Sequence, residues 1–114
     1  MTDFGLFLFS EELTPRELVR SAVAAEAAGF DKLWISDHYH PWTDEQGQAP
    51  FVWSVLGAID AQTERATVTT AVTCPTVRIH PAVLAQAAAT TQELFEGRFQ
   101  FGLGTPFPSR TSPC

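Results

Sequence analysis

Cysteine and cationic side chains are scarce in this sequence of 114 residues, and each scarcity removes a class of protein. The two cysteines, Cys74 and Cys114, lie far apart with no paired spacing, which suggests neither a disulfide framework nor a thiolate zinc site and fits a reducing, cytoplasmic setting. Seven Lys and Arg stand against 13 Asp and Glu, for a net charge of −6 and a pI near 4.8. No basic cluster of the kind a nucleic acid backbone requires occurs. Long apolar runs are also absent, so no membrane span is expected, and the short stretch Phe4 to Phe9 lacks the basic flank and extended core of a secretion signal. What remains, at 45% hydrophobic residues and a mean hydropathy near zero, is the composition of a single globular domain.

The stretch FGLFLF, Phe4 to Phe9, is apolar throughout and reads as a strand buried on both faces. Thr14-Pro15-Arg16-Glu17 then supplies a capping hydroxyl, a proline suited to the first helical turn and a glutamate three residues after the cap. The helix it opens carries apolar residues at helical spacing from Leu18 to Ala27, and Gly29 is placed to end it. Lys32 to Ser36 forms a second strand, followed by a polar segment from Asp37 to Pro50. Phe51 to Gln62 has helical spacing, Thr67 to Thr73 is a β-branched third strand, Pro81 to Glu96 is an alanine-rich helix closed by Gly97, and Phe99 to Leu103 is a fourth strand.

Strands separated by single helices are the repeat of βαβ units, which implies an α/β fold with a parallel sheet. About four strands and three helices are the N-terminal part of a (β/α)8 TIM barrel, which needs about 250 residues, or part of a doubly wound sheet. The first strand is followed by Ser10-Glu11-Glu12-Leu13, without the glycine-rich turn of a dinucleotide fold, which favours the barrel. The final nine residues, Pro106 to Cys114, hold three prolines and no helical period where a fourth helix belongs.

In a parallel sheet the groups after each strand share one rim, where both barrels and open sheets place their sites. His38 is the leading candidate for proton transfer, with neighbouring Asp37 as the carboxylate that holds its tautomer; the plain alternatives are a surface histidine and a turn aspartate. Trp42 suits the wall of a pocket for a planar cofactor, or simple packing. A metal set of His38, His40, Asp44 and Glu45 lacks specific spacing. Cys74 reads as a reactive thiol or a packed small residue, His80 as a helix-start residue and Arg78 as a solvated cation, while Gly102 and Gly104 permit close backbone approach.

Three stretches carry more than their single residues: ISDHYHPWTDEQGQAPFVWS (Ile35 to Ser54), TTAVTCPTVRIHPAVLAQAAAT (Thr69 to Thr90) and GRFQFGLGT (Gly97 to Thr105). Together they resemble the luciferase-like superfamily, in its coenzyme F420-dependent branch, similar to F420-dependent glucose-6-phosphate dehydrogenases. The resemblance implies a partial barrel over residues 1–105, with 106–114 as a non-family tail, and a deazaflavin lying across the strand C-terminal mouth. It implies His38 as the base toward an alcohol or sugar hydroxyl, with Asp37 and Trp42 beside it. It also implies a cis peptide at Ala71-Val72, and Asp37, Ala71, Val72, Thr73, Cys74 and Thr105 facing the cofactor, with Thr73 to Thr76 in the same segment. FMN and monooxygenase chemistry are the alternative within the superfamily, and full-length relatives are expected to be homodimers. Where the family continues with Gly-Glu after Thr105, this chain has Pro106-Phe107. The expectation is therefore a truncated oxidoreductase with negligible turnover by itself, or an inactive fragment that associates with a partner to cover its open strand edges.

Overall fold

The computed structural model describes residues 3–75 and 78–105. Four strands, β1 (Gly5–Leu8), β2 (Lys32–Ile35), β3 (Thr67–Thr70) and β4 (Phe99–Gln100), alternate with three helices, α1 (Pro15–Ala27), α2 (Val52–Gln62) and α3 (Pro81–Leu94). The strands form one sheet in the order β1-β2-β3-β4, every pair parallel, with Leu6 opposite Leu33, Leu33 opposite Val68 and Val68 opposite Phe99. Strand order equal to chain order is the opening sequence of a β/α barrel rather than of a doubly wound sheet, whose order reverses at a switch point.

Local chemistry explains the helix boundaries. The Thr14 side chain accepts from the Glu17 backbone N–H at 3.2 Å while the Glu17 carboxylate accepts from the Thr14 N–H at 2.8 Å, closing a capping box ahead of α1. His80 caps α3 through its ring, which accepts from the Ala82 N–H at 3.1 Å, so the helix-start reading of His80 holds. Gly29 and Gly97 sit just past helix ends at φ of 98° and 89°, a left-handed conformation that glycine adopts without a Cβ penalty.

A second interaction ties α1 to the sheet. Glu26, buried in the last turn of α1, accepts from the backbone N–H groups of Glu64 (2.9 Å), Arg65 (2.8 Å) and Ala66 (2.7 Å), the turn that enters β3. The core lies between helices and sheet: Leu8, Leu33, Ile35, Val68 and Phe99 from the strands meet Leu18, Ala22, Val52, Leu56, Ile59, Leu84 and Phe95 from the helices. Burying each of these side chains larger than alanine stabilises the fold by about 1.5–3 kcal/mol.

Two expectations are corrected. β1 is not buried on both faces: Leu8 is enclosed, whereas Gly5 is exposed and Phe7 and Phe9 pack against each other with ring centroids 4.7 Å apart on the face away from the helices. Trp34, on the same face of β2, is 50% exposed. The strands therefore alternate, as a sheet covered on one side does. The third strand, expected to reach Thr73, stops at Thr70; the Ala71–Val72 peptide after it is cis, and pairing resumes at a single parallel bridge between Thr73 and Leu103. Among the described residues no helix is long and apolar enough to cross a membrane.

Candidate active site

Parallel strands deliver all their C-terminal ends to one rim, and the first residues after β1 and β2 interlock there. The Ser10 N–H donates to Ser36 Oγ at 3.0 Å, the Ser10 hydroxyl donates to the Ser36 carbonyl, and the Ser36 hydroxyl donates to Glu11 Oε2 at 2.8 Å. The other carboxylate oxygen of Glu11 lies 2.6 Å from His38 Nε2. Both side chains are largely enclosed, at 5% and 12% exposure, so the pair is poorly screened by solvent. Burial works against the ionised Glu11 carboxylate. Hydrogen bonds from His38, from its own backbone N–H and from Ser36, with the charge of His38, outweigh burial and hold the carboxyl below the ordinary range. Among the described residues His38 Nδ1 is buried with no hydrogen-bond partner, a costly state for a polar atom unless another group meets it.

The carboxylate at His38 is thus Glu11, not its neighbour Asp37. Asp37 turns inward, is 2% exposed, and accepts from Thr73 Oγ1 at 2.8 Å and from the Arg78 guanidinium. Successive side chains of an extended segment point to opposite sides, which is why the adjacent pair diverges. Arg78 is accordingly not a solvated cation but half of a buried ion pair.

Beside His38 opens a cleft of about 340 Å³ lined by Phe7, Phe9, Glu11, Ser36, His38, Trp42, Gln46, Ala71, Val72 and Thr105. Trp42 stands edge-on to His38, ring centroids 5.7 Å apart at 72°, and its backbone N–H is held at 2.8 Å by Gln46 Oε1. Of the residues singled out in the sequence, His38, Trp42, Ala71, Val72 and Thr105 come together on this cleft. Asp37, Thr73 and Cys74 lie buried behind it, and Cys74 is not a free thiol. Thr76 lies outside the described residues, as does the tail from Pro106. His40, Asp44 and Glu45 are exposed, and among the described residues no three His, Cys, Asp or Glu side chains gather as a metal set.

Gly102 and Gly104 make their close approaches to the chain itself. A Cβ on Gly102 would run into the Thr70 carbonyl oxygen, and one on Gly104 into the Val72 side chain. The glycines thereby let the segment after β4 close against the cis peptide that walls the cleft. Glu11 was missed in the sequence, although it sits on the same rim, directly after a strand, where the rule that selected His38 applies equally.

A larger groove, about 450 Å³, lies between α1 and α2 and is lined by Arg16, Arg20, Ser54 and Gln62 among others. It contains no buried titratable pair, so chemistry is assigned to the rim cleft. That cleft has the apolar, partly polar lining suited to one face of a planar heterocycle.

Comparison with known proteins agrees with this architecture. The chain is 46% identical over 102 residues to F420-dependent glucose-6-phosphate dehydrogenase of Nakamurella multipartita, covering 90% of this chain and 30% of that protein. It is 49% identical over 105 residues to the enzyme of the same name from Intrasporangium calvum, covering 92% and 31%. Among solved structures it is similar to an F420-dependent secondary alcohol dehydrogenase in complex with an F420-acetone adduct, with a TM-score of 0.85 and 35% identity over 90% of this chain and 31% of that one. The chain therefore spans about 30% of the length of the curated relatives it matches. The model of the luciferase-like monooxygenase family matches residues 2–111, past Thr105, and the chain belongs to that family.

Proposed function

We propose that this chain carries the proton-transfer rim of an F420-dependent oxidoreductase acting on an alcohol or sugar hydroxyl. The observation that carries the reading is the enclosed Glu11–His38 pair opening onto a cleft walled by the Ala71–Val72 peptide and Trp42. When bound, the deazaflavin would supply the hydride acceptor, at a site formed by Ala71, Val72 and Thr105 with Phe7 and Phe9 behind it.

The chain's own residues handle the proton. His38 Nε2–H donates to the Glu11 carboxylate, so Nδ1 is the ring nitrogen left to accept a hydroxyl proton. The proton taken from the hydroxyl is then held on Nδ1 while Nε2–H still donates to Glu11, whose ionised carboxylate offsets the charge of the imidazolium. The Ser36 hydroxyl donates to the carboxylate and is itself held by Ser10, so little reorganisation accompanies the transfer. Trp42 narrows the entrance and, with Phe7 and Phe9, keeps water from the pair.

Titration of the purified chain with coenzyme F420, followed by deazaflavin fluorescence, tests the reading. Saturable binding, weakened at least tenfold by Val72→Asp at the cleft wall, is expected. Binding of FMN in preference to F420 would transfer the assignment to the flavin-using branch, and binding of neither would overturn it.

A further inference from the structure

His38 has two sides. On one it meets Glu11 and the cleft; on the other it lines, with Tyr39, Pro50, Phe51, Arg78 and Ile79, a separate hollow of about 260 Å³. Arg78 closes that back side and reaches through to Asp37, whose side chain has no solvent exposure. We infer that Arg78 is a positioning residue for His38: by neutralising Asp37 it commits that carboxylate to the sheet and leaves the histidine to Glu11. This deepens the function proposed above and rests on it.

The argument is one of competing carboxylates. Glu11 and Asp37 are both buried on the rim, and His38 follows Asp37 directly in the chain. A buried carboxylate without a counter-charge is strongly unfavourable, and the nearest titratable cation would be drawn toward it. Arg78 removes that demand, and the Thr73 hydroxyl occupies the second Asp37 oxygen at 2.8 Å. Because guanidinium remains charged at any working pH, the neutralisation is permanent. The same contacts brace the wall of the cleft. Thr73 donates its N–H to Gly102 O at 2.8 Å and accepts from the Gly104 N–H at 3.0 Å, so Asp37, Arg78 and the segments after β3 and β4 move as one.

The test compares Arg78→Met, Arg78→Lys and the double variant Arg78→Met with Asp37→Asn, using proton–nitrogen NMR of the His38 ring, which needs no cofactor, and F420 titration in parallel. Arg78→Lys keeps the charge and should leave the ring N–H resonance to Glu11 in place. Arg78→Met should shift or abolish that resonance and weaken F420 binding at least tenfold. The double variant, with both charges gone, should return the resonance to its original position and the affinity to within threefold. An unchanged resonance in folded Arg78→Met overturns the proposal, as does a double variant that stays perturbed or fails to fold, since packing rather than charge would then be what Arg78 supplies. If Arg78→Met does not fold, the double variant alone decides by the same criterion. Failure of the unaltered chain to bind F420 would count against the proposed function while leaving the NMR comparison to judge Arg78.

Discussion

Glu26→Ala should destabilise the chain by about 3 kcal/mol at neutral pH, although Glu26 touches no part of the cleft. Its carboxylate accepts three consecutive backbone N–H groups at 2.7–2.9 Å, at the turn that sets the start of β3. Glu64 and Arg65 are exposed, and their N–H groups can turn to water; Ala66 is fully buried and its N–H cannot. One stranded donor costs about 1–3 kcal/mol, and the loss of charge-assisted bonds at the other two brings the sum to about 3. The pH dependence has a definite sign. Burial opposes ionisation of Glu26, but the Ala66, Arg65 and Glu64 N–H groups and the Arg65 charge outweigh it, so the folded carboxyl titrates below its unfolded value. A depressed folded pKa stabilises the fold above the unfolded pKa of about 4.3 and loses that contribution as the pH falls through the folded value. Urea unfolding at pH 7 and again below pH 4 measures both features: the variant should trail the parent by about 3 kcal/mol at pH 7, and the gap should narrow on acidification. A deficit under about 1 kcal/mol, or a gap that widens in acid, would refute the account of the β3 entry turn.

The two rim glycines should respond unequally to alanine. Gly102→Ala forces a methyl into the Thr70 backbone and should cost about 2–3 kcal/mol, whereas Gly104→Ala meets only the half-exposed Val72 side chain and should cost less; thermal melts of the pair that showed the reverse order would break the argument. Glu11→Gln replaces an ionised acceptor of the His38 Nε2–H by a neutral amide that accepts more weakly, so a loss of about 1–2 kcal/mol at pH 7 is expected in urea unfolding. The Glu11 carboxyl, like that of Glu26, is held low, so this loss too should shrink as the pH falls below about 4.

What was legible in the sequence was what is local. The capping box at Thr14 spans one turn, the helix periods are read within single segments, and strand starts follow from where those periods change. Their order sufficed for a parallel sheet, and the missing glycine-rich turn after the first strand favoured the barrel over a doubly wound sheet. What was not legible depends on contacts between rim segments. The Asp37–Arg78 pair joins residues 41 positions apart, and the Ser36–Glu11 bond joins residues 25 apart. Sequence adjacency suggested Asp37 as the partner of His38, but adjacency in an extended segment places side chains on opposite sides. The exposure of Phe7, Phe9 and Trp34 was equally hidden, because an aromatic run shows apolarity and not which face the fold covers.

Placing two carboxylates on one rim creates a problem that the pairing solves asymmetrically. Glu11 is matched with histidine and Asp37 with arginine, and the two matches are not interchangeable even though an exchange would conserve charge. The Thr73 hydroxyl and the Arg78 guanidinium occupy both Asp37 oxygens, so that pair serves as structure. His38 keeps a second ring nitrogen, Nδ1, with no hydrogen-bond partner among the described residues. Only the second pair lines the aromatic-walled cleft. Because Asp37 is already satisfied by Thr73 and Arg78, Glu11 is the carboxylate left to face His38, on the side of the sheet where the proposed function would place the cofactor.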